Sequence, residues 1–200
     1  DMPIQYPTGV LAEHLHVRAN AGLFDVSHMG QAILSGPNAA ARLETLVPGE
    51  LLALAEGRIR YTQFLNEAGG ILDDLMVTRL PPAANGDERL FLVVNAACKE
   101  QDFARLRAAL PDLALEVLDD RALIALQGPS ASEALAKLAP GFETMPFMSL
   151  RDGRWGDVEL IVSRSGYTGE DGYEISLAAS AAEAFAQALL GLPEVKPIGL

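Results

Sequence analysis

Apolar positions along the chain alternate between two spacings, and the changes of spacing fall at glycine and proline. A helical period runs over Val10–Ala19, after Thr8-Gly9, and over Asn38–Leu46, where Ala39, Leu43 and Leu46 share a face and Pro48-Gly49 stops the run. Gln31–Ser35 reads as a short strand. Arg60–Leu65 and Ile71–Leu80 are extended runs joined by the turn cluster Asn66-Glu67-Ala68-Gly69-Gly70, which predicts a hairpin. The unbroken apolar run Leu90–Val94 predicts a buried strand, and Ala96–Leu110 a helix ended by Pro111.

A second cycle follows. Leu113–Leu118 and Ala122–Leu126 read as strands, Ser130–Leu138 as a helix, Val158–Ser163 and Tyr173–Leu177 as strands around a polar turn, and Ser180–Gly191 as a last helix. Ser130 with Glu133, and Ser180 with Glu183, have capping-box spacing. Gln31-Ala-Ile-Leu-Ser-Gly-Pro-Asn-Ala39 also lines up with Leu123-Ile-Ala-Leu-Gln-Gly-Pro-Ser-Ala131, strand, Gly-Pro break and helix in both. This predicts an internally duplicated α+β fold with halves 1–110 and 111–200. The alternative is that Gly-Pro before a helix is ordinary punctuation.

Composition narrows the function classes. The 200 residues carry 15 Lys+Arg against 27 Asp+Glu, a net charge of −12, which argues against nucleic acid as a partner. Apolar runs are far shorter than the ~18–20 residues of a membrane span, so no membrane association is expected. One cysteine, Cys98, and three scattered histidines predict neither a disulfide nor a metal site, and Asp1-Met2-Pro3-Ile4 shows no signal-peptide pattern. The expectation is a soluble intracellular protein.

Candidate chemistry lies in acids and tyrosines. His14 and His16, two apart on a helix, point apart and are expected at the surface; His28 is expected to be a hydrogen-bonded structural residue. Cys98 near a helix start invites a lowered pKa, with a small buried hydrophobe as the favoured reading. Asp73 and Asp74 interrupt an apolar strand, and period 2 sends their carboxylates to opposite faces. One of them should face inward, where a carboxylate is costly unless it is bonded; the alternative is a solvated edge strand. Ser163–Glu174 packs three glycines, two tyrosines and three acids around one turn. It is either an acidic hairpin tip or a binding element: Glu174 could accept two parallel hydrogen bonds from a flat heterocycle edge while Tyr167 stacks on the ring.

These segments closely resemble the T-protein family of the glycine cleavage system, the tetrahydrofolate-dependent aminomethyltransferases. The shared motifs are Met2-Pro-Ile-Gln-Tyr6, Gly22-Leu-Phe-Asp-Val-Ser-His-Met-Gly30, Tyr61-Thr62, Gly69-Gly-Ile-Leu-Asp-Asp-Leu75, Val93-Val-Asn-Ala-Ala97, Ala125-Leu-Gln-Gly-Pro129 and Ser163–Glu174, in family order across the chain. The resemblance implies an intertwined α+β folate-binding core with two related halves. It implies transfer of an aminomethyl carbon from the lipoyl arm of an H-protein partner to tetrahydrofolate, releasing ammonia and giving 5,10-methylenetetrahydrofolate. It places Asp74 at the reacting N5/N10 region of the folate as the catalytic carboxylate and Glu174 on the pterin N3–H and 2-amino edge. Tyr61 and Tyr167 would pack along the rings, and Met29 and Asn95 would line the cavity, though Asn95 also sits where a helix needs an N-cap.

Family members continue past a step like Gly199-Leu200 into a Gly-Ala-Arg-Asp stretch and a C-terminal β-barrel domain, and carry about one helix ahead of Met2. The chain is therefore expected to be the folate-binding core of a longer protein, short of some basic folate contacts, with Asp1 not necessarily native. A bacterial member would be cytoplasmic and a eukaryotic one would lie in the mitochondrial matrix. Related readings are a folate-using demethylase or dehydrogenase tail, and a non-enzymatic folate-binding iron–sulfur assembly factor, whose lysine-glycine-cysteine signature is not found here. Arg58 and Arg60 are the expected docking residues for an acidic carrier protein.

Overall fold

The computed structural model describes residues 2–200; Asp1 lies outside the described residues. Two compact units divide the described residues, one built from residues 2–28 and 120–200, the other from 29–119. Their boundaries differ from the 1–110 and 111–200 halves of the sequence expectation, because the N-terminal 28 residues belong with the C-terminal part.

The continuous unit holds a five-stranded antiparallel sheet. Its strands are β2 (Gly30–Gly36), β3 (Ile59–Leu65), β4 (Ile71–Leu80), β5 (Glu88–Val94) and β6 (Ala114–Val117), in the order β3-β4-β5-β2-β6. Helix α2 (Ala39–Glu44) follows β2, and α3 (Lys99–Ala109) follows β5. Leu34, Leu43, Leu90, Leu92, Val94, Phe103 and Leu106 fill its core. The run Leu90–Val94 is buried throughout, as an unbroken apolar strand must be when neighbours and a helix cover it.

The second unit holds a six-stranded sheet. Its strands are β1 (Ala21–Asp25), β7 (Arg121–Gln127), β8 (Ser149–Trp155), β9 (Val158–Arg164), β10 (Gly172–Ala178) and β11 (Val195–Pro197), in the order β11-β1-β7-β10-β9-β8. Helices α1 (Val10–Ala19), α4 (Ala131–Leu138) and α5 (Ala179–Leu190) complete it. Tyr173, Phe185, Leu126, Leu135 and Ile175 form its core, with Trp155 edge-on to Phe185.

Read from the hairpin end, the two sheets repeat one plan. A hairpin (β3-β4 or β8-β9) leads to a strand followed by a helix (β5-α3 or β10-α5), and next to it lies a strand, Gly-Pro break and helix (β2-α2 or β7-α4). The two break glycines, Gly36 and Gly128, take φ of +146° and +132°, a region that side chains rarely enter. The aligned motif thus marks equivalent corners. The fifth place is filled by β6 in one unit and by β1, drawn from the start of the chain, in the other.

Several local expectations change. Ser130 is the residue ahead of α4 but its side chain makes no cap bond, and α5 begins at Ala179, which places Ser180 inside the helix; neither capping box forms. Strands β8 and β11 escaped the sequence reading because Asp152, Gly153 and Arg154 break the apolar alternation of one and the other is three residues long. His14 is exposed, whereas His16 is half-buried with Nε2 3.1 Å from the carbonyls of Ala21 and Glu194, a bond across the β1–β11 junction. Among the described residues, no helix is long and apolar enough to cross a membrane and no group of three or more His, Cys, Asp or Glu side chains is arranged to hold a metal ion.

Candidate functional site

In the continuous unit the polar cluster forms where one strand outlasts its neighbour. Pairing of β4 with β5 begins at Leu75↔Val94, so Asp73 and Asp74 pair only with β3. Asn95, one residue beyond β5, turns across the vacated edge. Its Nδ2 lies 2.9 Å from Asp73 Oδ1 and also donates to Asp74 Oδ1, with the Asp74 carbonyl at 3.2 Å. Strict alternation predicted carboxylates on opposite faces; both instead reach one amide, because Asn95 sits at the edge rather than on a face. The N-cap position of α3 falls to Cys98, so the capping role considered for Asn95 is not the one it plays.

Tyr61 approaches Asp74 diagonally. On β3 it opposes Met76, two residues on from the Asp74↔Gln63 pair on the same face, and its hydroxyl donates to Asp74 Oδ2. The adjacent carboxylate raises the phenol pKa, so the tyrosine stays a donor. Each oxygen of Asp74 is thereby held by a separate donor. Burial, and then the charge of Asp73, push the Cys98 thiol up, opposite to the lowering that a helix start invites. Met29, half-buried in the turn before β2, takes no part in this hydrogen-bond network.

Asp102 is a residue that sequence reading passed over. It is 3% exposed on the first turn of α3, beside the core residues Phe103 and Leu106. Burial, with the neighbouring Asp73 carboxyl, moves its pKa up to about 7. Its Oδ2 and that of Asp73 are both buried without a donor. The signal was available: an acid on the apolar stripe Asp102, Phe103, Leu106, Leu110 of a helix costs several kcal/mol if ionised and unpaired.

In the other unit, Glu174 opposes Ser163 across β9–β10. Its Oε2 accepts from Ser165 Oγ at 3.1 Å and Ser163 Oγ at 3.3 Å, while Oε1 accepts nothing from the described residues. Desolvation raises its pKa and the two serine hydroxyls pull it back. A half-buried carboxylate with one oxygen left open fits a ligand that brings N–H donors. The loop between the strands is pinned at both ends. Arg164 grips Asp171 through Nε at 2.9 Å and Nη2 at 2.5 Å and reaches the carbonyls of Glu143 and Met145, while Thr168 donates to Gln127 at 3.1 Å. At its tip Tyr167 is 53% exposed, yet its phenol pKa is raised by local desolvation and by the Glu174 charge. The structure therefore ties Tyr61, Asn95 and Asp74 together in one unit and puts Tyr167 beside Glu174 in the other.

The two polar clusters thus lie one on each of two matching α+β units. The chain belongs to the GCVT N-terminal domain family, whose model matches residues 1–200. Among curated relatives, the human mitochondrial aminomethyltransferase is 41% identical over all of this chain and 50% of its own length. The Thermotoga maritima aminomethyltransferase is 41% identical over 96% of this chain and 52% of its own. The crystal structure of glycine cleavage system aminomethyltransferase T from Bartonella henselae superposes with a TM-score of 0.90 at 42% identity, covering 99% of this chain and 53% of that one. The chain spans about half the length of the curated relatives it matches.

Proposed function

We propose that this chain is the folate-binding half of a glycine cleavage aminomethyltransferase, which passes the one-carbon unit of an aminomethyl-lipoyl H-protein to tetrahydrofolate and releases ammonia. The observation that carries the reading is the Asp74 carboxylate fixed by a separate donor on each oxygen. Tetrahydrofolate supplies the nitrogens that accept the carbon. Asp74, oriented by Tyr61 and Asn95 before substrate arrives, offsets positive charge developing on the transferring carbon and nitrogen at no reorganisation cost. Glu174 accepts from the N–H and amino donors of the pterin edge through its unserved Oε1, and the Tyr167 ring packs alongside. Arg60, exposed beside Tyr61, and half-buried Arg58 make no ion pair with a described residue, which suits both to an acidic carrier.

The test is tetrahydrofolate-dependent ammonia release from aminomethylated H-protein by the complete protein. Release that Asp74→Ala abolishes supports the transferase. Folate binding without turnover favours a non-enzymatic folate-binding role.

A further inference from the structure

The hydrogen-bond chain behind Asp74 does not end at Asn95. Asn95 donates to Asp73 Oδ1, and Asp73 Oδ2 and Asp102 Oδ2 are both buried without a donor. Asp102 is 3% exposed, and after burial itself the Asp73 carboxyl is the neighbour that does most to raise its pKa. Two ionised carboxylates offer only acceptors, so their approach is repulsive and leaves both atoms unserved; one proton between them turns it into a bond and serves both. We propose that Asp102 is a positioning residue for Asp74: it shares one proton with Asp73, and the shared proton seats Asp73 where it holds the Asn95 amide against Asp74.

The surroundings agree with a single negative charge on the pair. Asp73 and Asp74 on β4 and the Cys98 thiol at the start of α3 add no positive charge, and Arg105 on α3 is the cation that acts on Asp102. Arg105 opposes proton uptake, but burial and the Asp73 carboxyl outweigh it. With the proton in place, the Asn95 Nδ2 group has two fixed acceptors, Asp73 Oδ1 behind it and Asp74 Oδ1 in front. When the proton leaves, Asp73 is pushed from Asp102 and the amide loses its anchor. The Asp102→Asn variant keeps a donor toward Asp73 at every pH, whereas Asp102→Ala removes it at every pH.

This proposal rests on the transferase reading only for its effect on turnover; the shared proton is readable without it. The experiment follows the side-chain amide of Asn95 by NMR in the complete protein, selectively labelled at asparagine, from about pH 5 to about pH 9. In the unmodified protein the resonance should shift with a midpoint near 7, and in Asp102→Asn it should stay flat. In parallel, kcat of the unmodified enzyme should fall across the same window while that of Asp102→Asn does not, and Asp102→Ala should lose about tenfold or more at every pH. An Asn95 resonance that does not move, or moves equally in Asp102→Asn, overturns the proposal. So does a correctly folded Asp102→Ala enzyme of full activity. A resonance that behaves as expected in a protein with no transfer activity sustains the shared proton and counts against the transferase reading instead.

Discussion

Tyr61 donates its hydroxyl hydrogen to Asp74 although 51% of the tyrosine's surface faces solvent. A bond kept at so exposed a place contributes little to folding and is better explained by what it does to Asp74. Tyr61→Phe removes the donor and leaves the ring. The thermal midpoint should be unchanged, while kcat/KM for one-carbon transfer in the complete enzyme should fall about tenfold. Because the carboxylate raises the phenol pKa, the defect should be the same on either side of neutrality. Steady-state kinetics at several pH values, with calorimetric melting of the same samples, checks both halves of this statement.

Glu174→Gln keeps the shape of the side chain and removes its charge. Tetrahydrofolate affinity should drop by about tenfold to a hundredfold, the range for a lost charge-assisted bond, as read by titration calorimetry. Stability should move the other way. The folded pKa of Glu174 lies above its ordinary value of 4.5, so the folded state binds the proton more tightly than the unfolded chain. The ionised carboxylate therefore lowers stability progressively as pH rises from that value through the folded pKa. The advantage of the Gln variant in urea midpoint should be largest near neutral pH and close as the buffer is acidified.

Much of this was legible in sequence, for identifiable reasons. Burial of Leu90–Val94 on both faces leaves an apolar run with no polar alternation, and the Gly36-Pro37 and Gly128-Pro129 breaks expose the repeat because the corner's positive φ demands glycine. Asp74 and Glu174 stood out as acids in apolar strands. Asp102 did not, since the acids of a helix's first turn are ordinary dipole partners and only the stripe it shares with Leu106 marks it as buried. Nor could period 2 foresee that Asp73 and Asp74 meet one amide, which depends on β5 ending at Val94, opposite Leu75, and leaving both acids without a partner on that side. The unit boundaries were hidden because β1 pairs with strands far along the chain.

Gly128 separates backbone need from mere tolerance. A Cβ there would run into the carbonyl oxygens of Asn20 and Val17, at a φ that side chains rarely adopt, whereas one on Gly69, at φ +79°, meets nothing. Gly128→Ala should destabilise by ~3 kcal/mol or more, and Gly69→Ala by only about 1 kcal/mol. Chemical denaturation of the two variants beside the unmodified chain measures the gap; equal losses would contradict it.

The Arg164–Asp171 pair predicts an acid limit. Arg164 holds the Asp171 pKa below its ordinary value of 3.8, so this contribution is complete above that value and is lost as pH falls through the lowered folded pKa. Arg164→Ala and Asp171→Asn should each weaken acid resistance, and together do no more harm than the worse of the two. A double-mutant cycle on acid-unfolding curves gives the coupling. The guanidinium also braces Glu143 and Met145 and lies 5.5 Å from the Tyr173 ring centroid. Arg164→Lys should therefore recover little of the loss.

The place of β1 between β7 and β11 bears on how the chain is made. Residues 29–119 are continuous and can close their sheet as soon as β6 has left the ribosome. The first strand has no such opportunity: Leu23 pairs with Leu126 and Ala21 with Val195, so its partners are synthesised only after the whole intervening unit. During that interval the edges of β1 have no strand of their own unit to pair with, a state that invites pairing with other chains.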